Sequence, residues 1–307
     1  MTALTLTAQP AKETAVRPVP WRNMLWVTWR QHRAALISVP AVLGAVSVFL
    51  WIAGLRIHHN YAVLMACHPF TSDACQTLNS NFNSTDWTMG NTLDILMNLV
   101  PALIGAFVGG PVLARELESG TYRYSWTQGF GRARSTVAKL TIIAVTITIS
   151  AFAFSQLFAW FFKPFLGRSS LTVLSATVFD AQGVSFAAWT LLAFTTGALC
   201  GMFLRRIVPA MAVTLGVYAG LSVLTWVFLR KHYPVSLVSS NPPYSTGPEN
   251  ANQPWILSSW QSGHTTYFRY IPVSRFWPMQ FIEAGWLLAL SVLFVAATVW
   301  LVRRRAA

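Results

Sequence analysis

Residues 114–129 read ARELESGTYRYSWTQG. Acids, arginines, aromatics and glycines crowd together here in a chain that is 54% hydrophobic and only 10% charged. On either side the sequence is apolar for about the 20 residues that an α-helix needs to cross roughly 30 Å of hydrocarbon. A soluble domain carries about a quarter charged residues and shows amphipathic stripes rather than unbroken apolar blocks. Transmembrane β-barrels show short alternating segments instead. The sequence therefore predicts an all-α, polytopic membrane protein, with 114–129 in a connector between two spans.

Working outward, six runs qualify as spans: about 35–55, 93–113, 140–162, 184–204, 208–229 and 282–302. They make a six-helix transmembrane domain over 35–302. With the N-terminus inside, fifteen of the 22 lysines and arginines fall on the inner side and seven on the outer. The excess of Lys and Arg in cytoplasmic loops selects this orientation, with both termini cytoplasmic, in the cytoplasmic membrane. The same rule accounts for the net charge of +13. No basic run belongs to a nucleic-acid-binding fold, so nucleic acid is not an expected partner.

Residues 1–20 are polar and Ala/Thr/Pro-rich, with no apolar stretch of signal-peptide type, and read as a disordered cytoplasmic tail. Residues 21–34 place Trp21, Met24, Leu25, Thr28, Trp29 and His32 on one helical face and Arg22, Arg30 and Arg33 on the other. That pattern predicts an amphipathic helix lying in the membrane interface among lipids. Residues 303–307 form a basic tail.

Two outer connections are sizeable. The first, 56–92, contains CHPFTSDAC, in which Cys67 and Cys75 read most simply as a disulfide outside the cytosol. His58, His59 and His68 lie nearby, but the spacing fits no compact metal motif, and no metal site is expected. Cys200, inside an apolar span, reads as packing. The second outer connection, 230–281, ends in the aromatic stretch YFRYIPVSRFWPMQFIE, a candidate to dip into the outer leaflet.

No lysine lies in the Gly-Lys-Ser/Thr arrangement that cradles phosphates, and no HExxH or GxSxG occurs. An enzyme, or a proton-coupled pump with acids along its path, is disfavoured. Asp94 and Asp180 read as interfacial acids near span ends. Glu283 reads equally as interfacial or as a substrate contact, and burial of its carboxylate would need a partner, for which Arg275 is nearest in sequence. Asn98, on the face of Asp94, together with Gln280 and Glu283 are the candidates for an outer gate or translocation path.

In 114–129 the helix of the second span is expected to run on through Glu118, with Arg115 and Glu118 placed to pair at i,i+3. Gly120 can end it in the left-handed conformation, and Thr121 can cap a short second helix. This is more pattern than a simple connector needs.

Glu-x-x-x-Gly-Thr after the second of six spans resembles the permease subunits of type-2 ABC exporters. The resemblance extends to an interfacial helix before span 1, a tight hairpin between spans 4 and 5 and a long outer loop before span 6. An actinobacterial branch of that family is suggested by RYSWTQ at 123–128, FDAQG at 179–183, RRIVPAM at 205–211 and SRFWPMQFIE at 274–283. The resemblance implies a transporter subunit without its own ATPase site or cofactor. It would pair as a homodimer and be worked by a separate ATP-binding subunit that holds ATP and Mg. Arg115, Glu116, Glu118, Gly120, Thr121, Tyr122 and Arg123 would form the coupling element. A non-transporting membrane sensor, immunity or scaffold protein needs the same spans and stays open on sequence alone, as does the cargo.

Overall fold

The structure, a computed structural model, describes residues 21–120, 132–166, 172–233, 236–240 and 254–304. It is mostly helical, and six of its helical segments are long and apolar enough to cross a membrane: Arg33–Ala66, Asp73–Glu118, Ala133–Phe165, Gly183–Leu204, Ile207–His232 and Val273–Arg304.

Helix α1 (Trp21–Ala66) is continuous. The separate interfacial helix expected over 21–34 is not set off by any break, because neither Gly nor Pro occurs between Trp21 and Val39. The helix also runs eleven residues beyond the predicted end of span 1. Arg56, His58 and His59 are polar, but they do not stop a helix, and Ile57 and Leu64 are buried on its inner face. The connection 56–92, expected as a loop, is thus largely helical. After the turn around Cys67, α2 (Asp73–Asn81) starts at Ser72, whose hydroxyl accepts from Cys75 N–H at 3.4 Å. A π-helical turn (Phe82–Trp87) and α3 (Thr88–Met97) lead inward. A break at Asn98-Leu99, just before Pro101, precedes α4 (Val100–Ile104), a second π-helical turn (Gly105–Gly109) and α5 (Gly110–Glu118).

Helix α6 (Arg132–Phe162) is span 3, and the short α7 (Ala176–Asp180) leads into α8 (Gly183–Leu204), span 4. Span 5 is α9 (Ile207–Leu224), prolonged by a π-helical turn and one 3₁₀ turn to His232. Span 6 is α10 (Phe276–Arg304), which begins six residues earlier than predicted.

Span 4 is the centre of the bundle, packed against α5, α6, α9 and α10. Its small residues allow this. A Cβ on Gly197 would lie 2.3 Å from Gly105 O, and one on Gly201 would lie 2.4 Å from Gly110 O. Reciprocally, one on Gly109 would lie 2.5 Å from Phe194 O. Spans 2 and 4 therefore meet backbone to backbone, as small-residue seams permit in membranes. Alongside, α1 lies on α6, where Gly54 makes room for the Trp160 ring and His58 stacks on it at 4.6 Å.

The connection before span 6 carries regular structure that its composition did not suggest. It forms a small antiparallel sheet of order β1-β3-β2, from β1 (Leu237–Ser239), β2 (Trp255–Ser262) and β3 (Thr265–Ile271). Gly263, at φ +62°, turns β2 into β3. Trp260 and Tyr267 stack across the hairpin at 5.8 Å, and Ile271 packs with Leu174, Phe179, Tyr233 and Met279. The chain remains all-α in its membrane-spanning part.

Candidate functional site

Two regions gather the residues singled out by sequence. The first lies where span 2 ends. Gly120 has φ +71°, so α5 does stop on a left-handed glycine, with Ser119 donating to Arg115 O through both its N–H and its hydroxyl. Arg115 is exposed and the i,i+3 pair with Glu118 is not made. Glu118 instead reaches across to span 5, where its Oε2 accepts from Ile207 N–H at 3.0 Å. Ile207 opens α9, whose N-cap Arg206 supplies no side-chain cap. A carboxylate there satisfies an orphan donor and faces the positive end of the helix dipole. Glu116 pairs with Lys139, a buried lysine on span 3. The end of span 2 is thereby tied to spans 3 and 5 by two acids. Sequence reasoning had chosen both acids but missed Lys139 and the helix-capping role. Thr121, Tyr122 and Arg123 lie outside the described residues.

The second region is a buried polar cluster where the far ends of spans 4, 5 and 6 meet. Its hub is Arg230, fully buried at the end of span 5. Arg230 donates from Nη2 to Glu283 Oε1 at 2.8 Å and to Oε2 at 3.0 Å, and from Nε to Oε2 at 3.2 Å. The same Nη2 pairs with Asp180, and the guanidinium lies 4.6 Å over the Phe179 ring. Glu283 also accepts from Trp189 Nε1 at 3.0 Å, Tyr233 Oη at 3.2 Å and Ser185 Oγ at 3.3 Å. Trp226 donates to the second oxygen of Asp180. Every carboxylate oxygen is thus engaged, which is the condition under which buried charge is tolerated. Burial raises the Asp180 carboxyl, while Arg230 opposes that shift. Burial and the adjacent Glu283 carboxylate raise the Tyr233 phenol.

The structure bears on three expectations here. Glu283 is fully buried, and its partner is Arg230, not Arg275, which is exposed. Asp180 and Asp94, near span ends as expected, are buried within the protein: Asp94 is 1% exposed and its Oδ1 takes no hydrogen bond among the described residues. Gln280 is also fully buried. It accepts from Ser185 N–H at 2.8 Å and donates to Phe179 O at 3.0 Å. Gly183 (φ +63°) sits against it, where a Cβ would come within 2.9 Å of Gln280 Oε1. Asn98 fills the break in span 2, donating to Asp94 O at 2.8 Å and Thr177 O at 3.2 Å and accepting from Tyr218 at 3.4 Å through its carbonyl. Cys67 and Cys75 form a disulfide, with Cα atoms 5.7 Å apart. Among the described residues no group of three or more His, Cys, Asp or Glu is placed to hold a metal ion.

The chain is thus a multi-pass helical bundle with a glycine seam between spans 2 and 4 and with the end of span 2 tied by two acids to spans 3 and 5. The chain belongs to the ABC-2 membrane transporter related family, whose model matches residues 40–230. It is an ABC-2-type permease, a class that in general works with an ATP-binding partner. No curated protein and no solved structure matches it.

Proposed function

We propose that this chain is the permease half of an ATP-driven exporter in the cytoplasmic membrane, of an actinobacterial branch, with both termini in the cytoplasm. A separate ATP-binding subunit, holding ATP and Mg, would dock on 115–123, and two copies of the chain would frame the path. The inner excess of Lys and Arg supports the orientation, and six crossings leave both ends on one side.

The observation that carries the reading is the double tie at the end of span 2. A push on Arg115–Arg123 from below reaches span 3 through the Glu116–Lys139 pair and span 5 through Glu118 and Ile207 N–H. Span 4 follows because its backbone rides on Gly105, Gly109 and Gly110 without intervening side chains. At the other end, Gln280 and Glu283 hold spans 4, 5 and 6 together, and Asn98 ties span 2 to α7. In this reading that cluster is the outer gate's fixed closure, and the path runs between copies rather than through one. Span 5 is nearly bare, with Val208, Val213, Val217 and Val223 exposed and open space at Gly216 and Gly220. That small-xxx-small face suits close approach of a second copy.

The test is co-purification of the tagged chain from a detergent extract of its native cells, with any retained ATP-binding subunit identified by mass spectrometry. The proposal expects a stoichiometric complex that Glu118→Ala weakens. If no such subunit is retained, with intact protein, the exporter reading fails, and a non-transporting sensor, immunity or scaffold role takes its place.

A further inference from the structure

Beyond the proposed coupling, the first outer hairpin contains a cavity of about 490 Å³. One wall is the extension of α1, with Arg56, His59, Asn60 and Val63 on successive turns. The other is the returning segment through α2 and the following π-helical turn, with Leu78 and Asp86 among its lining residues. The Cys67–Cys75 disulfide closes the turn between the walls. A hydrogen bond from Asn60 Nδ2 to Asp86 Oδ2 at 2.9 Å sets their register. The cavity is therefore held open by covalent and polar ties, and its size is that of a small-molecule site.

Its chemistry is mixed in sign. Asp86 is 5% exposed, and only one of its oxygens is held by Asn60; the other takes no bond among the described residues. Arg56 and His59 are exposed and form no salt bridge among the described residues. A carboxylate ready for a cation and a guanidinium ready for an anion share one cleft.

The polarity also runs in one direction. Arg56 adjoins the apolar span, the Asn60–Asp86 level comes next, and Val63 and Leu78 lie farthest out, roughly 10 Å from Arg56 at the helical rise. A lipid entering from the bilayer would meet the opposite order, with its tails toward the span.

We infer that this cavity binds a small soluble zwitterion of amino-acid type with an apolar side group. Its ammonium would sit on Asp86, its anionic group on Arg56 and His59, and its side group against Val63 and Leu78. The same ammonium-plus-anion chemistry occurs in an aminophospholipid headgroup, so the experiment separates the two.

Isothermal titration of the purified full-length protein with L-leucine and L-phenylalanine should give saturable binding. N-acetyl-leucine, which lacks the ammonium, and leucinamide, which lacks the carboxylate, should each bind about tenfold more weakly or worse. Asp86→Asn should erase the difference between leucine and N-acetyl-leucine, and Arg56→Gln the difference between leucine and leucinamide. Arg56 is exposed, so the second variant does not depend on core folding. The inference is overturned if neither amino acid binds, or if both variants bind leucine with wild-type affinity. It is overturned equally if leucine binds in nanodiscs without phosphatidylethanolamine but is displaced in nanodiscs that contain it, which would make the site a headgroup site.

Discussion

Replacing Arg230 by Met tests how the far ends of spans 4, 5 and 6 are held. The substitution is close in volume and removes a cation that is 0% exposed. It leaves Glu283, also 0% exposed, and Asp180, 8% exposed, without their shared partner. Breaking one side of a buried ion pair costs about 3–5 kcal/mol. Glu283 keeps donors from Ser185, Trp189 and Tyr233, and Asp180 keeps Trp226, so the lower figure of that range applies. About 3 kcal/mol is roughly a hundredfold change in the unfolding equilibrium. Unfolding in mixed micelles with increasing SDS, followed by circular dichroism, reads this directly. The triple variant Arg230→Met, Asp180→Asn, Glu283→Gln should regain most of the loss, because the cost lies in uncompensated charge rather than in lost volume. Arg230→Met with wild-type stability, or a triple variant no better than the single, would refute the reasoning.

Gly197→Val should lower the folded yield on size-exclusion chromatography by forcing a Cβ to within 2.3 Å of Gly105 O, whereas Gly216→Ala, in open space, should leave the fold unchanged. Gly216→Leu should shift the proposed homodimer toward monomer in mass photometry without loss of folded protein. Glu116→Ala and Gly120→Val should leave insertion and dimerisation intact but uncouple transport from ATP hydrolysis. Gly120→Val acts because φ is +71° there, and wild-type coupling in both variants would remove the assigned role. In intact cells a membrane-impermeant maleimide should label neither Cys67 nor Cys75 until reductant is added.

The spans were legible because about 20 apolar residues in a row have few other uses, and Gly120 was legible because a helix that must stop favours glycine. The limits of hydropathy show at Arg56: it marks where lipid contact should end, not where a helix ends, so the continuation to Ala66 was missed. The hairpin at Gly263 had a visible signal, two β-rich runs about a two-residue turn, which a reading by loop composition passed over. Glu283 drew notice as an acid near an apolar helix. Its partner, Arg230, lies 53 positions away, and pairing across spans leaves no local pattern. Glu118 was chosen as an acid beside a Gly-Thr turn, but its contact with Ile207 N–H depends on how spans 2 and 5 pack, which no spacing encodes.

The most direct test of the account is the ATPase rate of the ATP-binding subunit that co-purifies with this chain, in proteoliposomes with and without it. The account predicts that wild-type permease alters the rate and that Glu118→Ala, with helix content and oligomeric state preserved, abolishes the effect. An ATPase indifferent to the wild-type chain, or equally responsive to the Glu118→Ala chain, would contradict it.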